Sequence, residues 1–272
     1  MTPAPGPSTS ITSLLAQARL GEAVATAKTR VKSRPLDTTA RILLADLLCL
    51  QGEIESADAQ LQIASQLASA EALGIARLRG LLRAEAARRA WFKEGAVPSF
   101  LATPTTRQQQ ALRLAVAWRA GDTDTAAGQL AELERSQTAC NGSCDGVAFD
   151  DFRDACDLMQ ENIEILGSNG QYYWLAPQAL ARLTFAPPRH PRDLMWRRAA
   201  AVFRSGEAAE LHLPAQYYAD AAEDDHRLAR RTDWTTTLGG VTFGRGQRIL
   251  MVGGEPRAMM EIGEISFAGA DA

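Results

Sequence analysis

Apolar residues in the first half of the chain recur at intervals suited to a helix. Leu43, Leu44, Leu47 and Leu48 recur at three and four, a spacing that gathers side chains on one helical face, and Leu112, Leu114, Val116 and Trp118 form a second apolar group. Alanine, leucine, glutamine, arginine and glutamate dominate this half, all good helix formers. Residues 11–137 are therefore expected to be almost wholly helical. The punctuation says more than the composition. ARLGEA (Ala18 to Ala23), QGEIESA (Gln51 to Ala57) and AGDTDTA (Ala120 to Ala126) each place a small residue five positions before an alanine. Ala23 and Ala57 are 34 residues apart, and Ala126 lies a further 69 on. That is the period of tetratricopeptide-type helical hairpins. Ala18, Gly52 and Gly121 allow one helix to give way closely to the next, and the alanine that follows permits tight packing. Pro35 ends a first hairpin and Asp37 caps the next helix. One hairpin cannot bury its own apolar face, so stacked neighbours are required. A plain helical bundle with coincidental spacing is the competing expectation.

After Gln137 the pattern changes. CNGSCDGVAFDDF gathers glycine, aspartate and cysteine, which marks a loop or domain junction. DFRDACDLMQENIEIL reads as one more helix. QYYWL and LTFA then read as strands, with APQALAR between them as a short helix. DLMWRRAAAVF, AELHLP, WTTTL, VTFG, QRILMV and RAMMEIG follow, separated by turns such as GGEP. Short strands without crossover helices predict a small antiparallel sheet or barrel. The fold class expected is α+β, with a leader at 1–10, a helical domain at 11–137 and an α+β domain at 138–272.

Composition narrows the function classes. A net charge of −3 and a pI near 5.7 lack the basic footprint of a nucleic-acid binder. Arg77, Arg79, Arg83, Arg88 and Arg89 cluster on a helical stretch, where a solvated face is the simplest reading. No apolar run is long enough to span a membrane. MTPAPGPSTS has neither the basic nor the apolar region of a secretory signal and reads as a disordered leader. A cytoplasmic protein is expected, and its four cysteines, Cys49, Cys140, Cys144 and Cys156, are then thiols. Cys49 reads as a core residue. Cys140 and Cys144 lack two further ligands at zinc spacing and read as thiols of a surface loop. No cofactor is implied.

Catalytic chemistry has little to draw on. His190 lies in the proline-flanked turn RHPRD, His212 alternates with Leu211 and Leu213 on a strand, and His226 in EDDHRLARR reads as solvated. No nucleophile, base and orienting group converge in the sequence, and a non-enzymatic protein is expected. Binding residues are sought among the rings instead. GQYYWLAP puts Tyr172, Tyr173 and Trp174 side by side in a chain that is only 6% aromatic. On a strand, Tyr172 and Trp174 face one way and Tyr173 the other. These rings either hold the β part against the helices or rim a groove for an apolar helix, since Tyr and Trp favour interfaces. Trp196, Tyr217 and Trp234 pose the same choice. Asp193, Arg231, Asp233 and Arg248 stand beside these rings, as a buried ion-pair network or as partner anchors.

The order GQYYWLAP, PRDLMW, LPAQYY, RLARRTDW, GRGQRIL resembles the ImpE family, also called TagJ, of bacterial type VI secretion accessory proteins. DGVAFDDFRDACD resembles the family's junction motif, and the resemblance covers about residues 12–265. It implies a cytoplasmic, non-enzymatic adaptor with a repeat-like helical part and a small β part. It further implies binding to the N-terminal helix of the small sheath subunit TssB, with ClpV, the ATPase that recycles contracted sheath, as a further partner. The CNGSC segment, the leader and RHPRD depart from the family pattern. A general repeat-type scaffold or chaperone is the alternative function.

Overall fold

The computed structural model describes residues 10–160, 162–220 and 222–269. Of the leader expected at 1–10, residues 1–9 lie outside the described residues. Ser10 belongs to the fold, its hydroxyl accepting from Ser13 N as the cap of the first helix.

Seven helices come first: α1 (Ile11–Ala16), α2 (Leu20–Ser33), α3 (Thr38–Gln51), α4 (Ile54–Leu67), α5 (Ala72–Glu94), α6 (Thr106–Ala120) and α7 (Thr123–Arg135). From α1 to α5 each packs on the next, and α6 packs on α7. The caps follow the sequence. Asp37 accepts from Ala40 N at 2.8 Å at the start of α3. Gly52 and Gly121 end α3 and α6 with φ of 86° and 69°, a left-handed conformation glycine adopts without a Cβ penalty. Ala23 and Ala57 are fully buried and Ala126 nearly so, as close helix contact requires.

The strands are β1 (Ser99–Phe100), β2 (Gly142–Cys144), β3 (Val147–Phe149), β4 (Phe152–Asp154), β5 (Ile163–Leu166), β6 (Tyr172–Leu175), β7 (Leu180–Phe185), β8 (Trp196–Phe203), β9 (Ala208–Pro214) and β10 (Gln216–Tyr217). After a short helix α8 (Asp224–Arg227) come β11 (Thr232–Thr236), β12 (Thr242–Gln247), β13 (Ile249–Val252), β14 (Glu255–Ala258) and β15 (Glu264–Phe267). Nine strands form one sheet in the order β1-β6-β5-β9-β8-β7-β15-β2-β3. Its pairs are antiparallel except β1 with β6, which run parallel. Two three-stranded sheets, β10-β12-β11 and β14-β13-β4, complete the β part.

Period-two alternation divides the sheet's two faces between two cores. Leu166, Tyr172, Trp174 and Trp196 pack into the cluster that also holds the helices. Ile163, Ile165, Leu175, Leu183 and Leu213 pack the other way, with Phe152, Leu250 and Val252 of β4 and β13. Helices and sheet thus share the first of these two cores.

Three sequence expectations are corrected. The described residues of DFRDACDLMQENIEIL form no helix: they supply β4, a turn and β5, because long-range partners claim the segment's polar residues. CNGSC is no surface loop. Gly142–Cys144 pairs with both β3 and β15, and Asp145-Gly146 turns the β2–β3 hairpin with φ of 50° and 82°, the left-handed pair a two-residue hairpin loop prefers. Cys144 is buried there as a free thiol, as are Cys49 and Cys156, while Cys140 is half-buried. His226 is not solvated but buried at 1% exposure, because α8 lies against β12 and Gly246 leaves room for the ring.

Candidate partner-binding groove

The junction of helices and sheet is built around charge. Arg88 of α5 donates from Nε to Glu164 Oε1 of β5 at 2.7 Å, and its Nη1 lies 3.7 Å from Glu85 Oε2 one turn earlier. Arg248, just before β13, pairs with Glu164 and with Asp154 of β4. All five side chains are buried. Tyr172 donates its hydroxyl to Glu164 and accepts from Trp174 Nε1 at 2.7 Å. Tyr217 donates to Asp154 at 2.9 Å and accepts from Ile249 N at 3.1 Å. Three carboxylates and two guanidinium groups thereby pair with one another, which burial of charge demands.

Burial alone would raise the Glu164 carboxyl; Arg88 and Arg248 overcome it and hold it down to about 2. Asp154 moves the other way, because burial outweighs Arg248. A second pair, Arg192 to both oxygens of Asp46 at 2.8 Å, joins the β7–β8 connection to α3. There burial raises Asp46 to about 6 against the pull of Arg192.

These clamps hold α3 and α5 beside the sheet and leave a groove of about 1780 Å³ between them. Ile42 and Leu43 of α3, Ile75 and Leu78 of α5, and Leu166 of the sheet give it an apolar lining, which continues past the sheet to Leu211 of the other face. Leu101, 56% exposed, stands at its edge. Gly80 sets the spacing. A Cβ there would lie 1.8 Å from the Ser168 carbonyl in the β5–β6 turn, so only glycine lets α5 approach that turn. The groove's volume matches about three turns of an α-helix 10–12 Å across.

The candidate residues from the sequence divide between core, network and surface. Tyr172 and Trp174 are buried beneath α5, with the Trp174 ring 4.9 Å from Trp91. Trp196 is buried and donates to Glu85 Oε2 at 3.4 Å, and Tyr217 is buried in the network. These four rings present no surface. Tyr173 does: it is half-buried, packs against the second core on the far face of the sheet, reaches the groove's lining there and accepts from Asn169 Nδ2 at 2.8 Å. Trp234 is 41% exposed on β11, its ring 5.5 Å from that of Tyr217, and belongs to a different face. Among the charges, Arg248 sits in the network. Asp193 is buried and accepts from Arg189 N and His190 N at 2.7 and 2.9 Å. Arg231 and Asp233 pair at 2.6 Å in solvent, where Asp233 also meets His226 Nε2 at 3.0 Å.

Arg88, Glu85, Asp154 and Glu164 were not recognised as a site in the sequence. One signal existed: Glu164 interrupts the apolar run IEIL, and a carboxylate there requires a buried cation. Among the described residues no group of three or more His, Cys, Asp or Glu is placed to hold a metal ion, and no helix is long and apolar enough to cross a membrane.

Three comparisons bear on this geometry. Residues 146–266 match the family model described as ImpE protein. The chain is 27% identical over 261 residues to the type VI secretion system accessory component TagJ of Pseudomonas aeruginosa, across 95% of this chain and 91% of that protein. An X-ray crystal structure of a Vibrio parahaemolyticus protein superposes with a TM-score of 0.87 at 22% identity, covering 95% of this chain and 97% of that one. That last likeness is one of fold.

Proposed function

We propose that this chain, which is similar to the ImpE family model over residues 146–266 and to a type VI secretion accessory component, acts as an adaptor that binds a helix in the groove between α3, α5 and the sheet. The occupant proposed is the N-terminal helix of the small sheath subunit TssB, and the consequence is assistance to ClpV-linked recycling of contracted sheath in the cytoplasm. The groove carries the reading. It is apolar, matched in volume to about three helical turns, and walled by elements that buried ion pairs hold apart. An amphipathic helix offers apolar residues at i, i+3 or i+4 and i+7, which such a groove can receive. The role needs no chemistry of its own. The 34-residue spacing and the consecutive packing of α1 to α5 favour a tetratricopeptide-like stack over residues 11–137, with 138–272 as the ImpE-type part.

Calorimetry on the intact chain with a peptide spanning the N-terminal helix of the cognate TssB tests the reading. A dissociation constant near micromolar, about −8 kcal/mol, is expected, because the peptide must order on binding. No binding at high micromolar peptide would remove the sheath role and leave the general scaffold reading.

A further inference from the structure

The lining of the groove is uneven. Beside Leu78 and Leu81 of α5 lies a second pocket of about 200 Å³ whose remaining walls include Arg189, His190, Arg192, Arg198 and His212. Leu78, Leu81, His190, Arg192 and His212 line both spaces, so the two adjoin. The segment responsible is RHPRD, in which Arg192 clamps α3 and Asp193 holds the turn, whereas Arg189 has no such role.

The pocket is cationic in a chain whose net charge is −3. Its one lining carboxylate, Asp193, is turned to the backbone N–H groups of Arg189 and His190. Arg192 is fixed by Asp46 behind it, and Arg198 lies 3.6 Å from the largely exposed Glu210. Arg189 makes no ion pair among the described residues. The two imidazoles reflect these surroundings. Burial first, and then Arg192 and its neighbours, lower His190; burial and then Arg198, against Glu210, lower His212. The pocket therefore presents guanidinium groups beside two imidazoles whose neutral form is favoured.

Resting on the reading of the groove as a helix receptor, we infer that this pocket takes an Asp or Glu side chain from one end of the bound helix. An apolar groove alone tolerates a helix lying in either direction or displaced by one turn. A carboxylate seated between Arg189 and Arg198 removes that freedom, because reversal would leave the pocket empty and the acid against leucines. The planar guanidinium fork suits a carboxylate better than a neutral amide. The partner is thus an amphipathic helix with apolar anchors and an acidic residue at one end of the stripe.

The test uses the full chain and the peptide of the cognate sheath-subunit helix, with each Asp or Glu of the peptide replaced singly by Asn or Gln. One position is expected to weaken binding about tenfold when neutralised. Arg198→Gln in the protein should produce a comparable loss, and the two changes together should cost little more than either alone. Thermal melts of Arg189→Gln and Arg198→Gln, both at accessible positions, check that folding is intact. If the parent peptide binds and every neutralised peptide stays within about twofold, the carboxylate pocket is refuted and the groove reading survives. If the parent peptide does not bind, both are refuted.

Discussion

Arg88 of α5 and Glu164 of β5 meet at 2.7 Å across the boundary between helices and sheet. Both are buried, so neither charge can be left alone. Glu164→Gln removes the carboxylate that Arg88 and Arg248 share, and unfolding free energy is expected to fall by about 3–5 kcal/mol. Urea denaturation of the intact chain measures it. A loss below about 1 kcal/mol, the level of an exposed pair, would mean the network is solvated.

The same pair sets a pH dependence. Glu164 titrates near 2 in the fold against an ordinary value of 4.5. The folded state therefore binds fewer protons than the unfolded one between these values, and stability present above pH 4.5 is lost as pH falls toward 2. Asp46 has the opposite sign. Raised to about 6 from 3.8, it favours the fold at low pH, and that contribution fades as pH rises through about 6. Denaturation midpoints across pH 2–7 should show Glu164→Gln with a shallower acid loss, and Asp46→Asn without the gain on going from pH 6 to 4.

Gly80→Ala separates two rules of opposite sign. Helix propensity favours alanine within α5 by about 1 kcal/mol. The new Cβ would meet the Ser168 carbonyl at 1.8 Å, and overpacking of that kind costs about 1–3 kcal/mol. The variant is expected to be less stable than the parent. A more stable variant would show that α5 does not approach the β5–β6 turn.

The helices were legible because their information is local: Asp37, Gly52 and Gly121 cap and stop them where the sequence places those residues. The β part was legible as strands and turns but not as connections. Asp154 and Glu164 gave 152–166 a helix-like spacing of polar and apolar residues. Their partners lie 94 and 84 residues away at Arg248, and nothing local reports that pairing. Asp145-Gly146 did carry a hairpin signal, hidden by the polar residues around it. YYW was half legible. Alternation put Tyr172 and Trp174 on one face and Tyr173 on the other, as found, but which face is core depended on α5. The groove draws its walls from residues as far apart as Ile42 and Leu211, so it exists only in the folded chain.

Neighbouring rings in YYW should therefore behave differently. Trp174→Ala empties a fully buried site packed on Trp91 and is expected to cost about 3–5 kcal/mol of stability. Tyr173→Ala should leave the melting transition close to that of the parent while weakening peptide binding by about 1–3 kcal/mol. Paired melts and calorimetry of the two variants check this, and a Tyr173→Ala chain that binds as the parent does would take that ring out of the groove's working wall.

The groove itself is tested most directly by hydrogen exchange on the intact chain, with and without saturating peptide of the cognate sheath-subunit helix. The account predicts slowed exchange in the segments that wall the groove, 74–81 of α5, 100–103, and the β5–β6 turn at 167–169, with little change along β11 around the exposed Trp234. Binding accompanied by protection at β11 and none in the groove segments would contradict it.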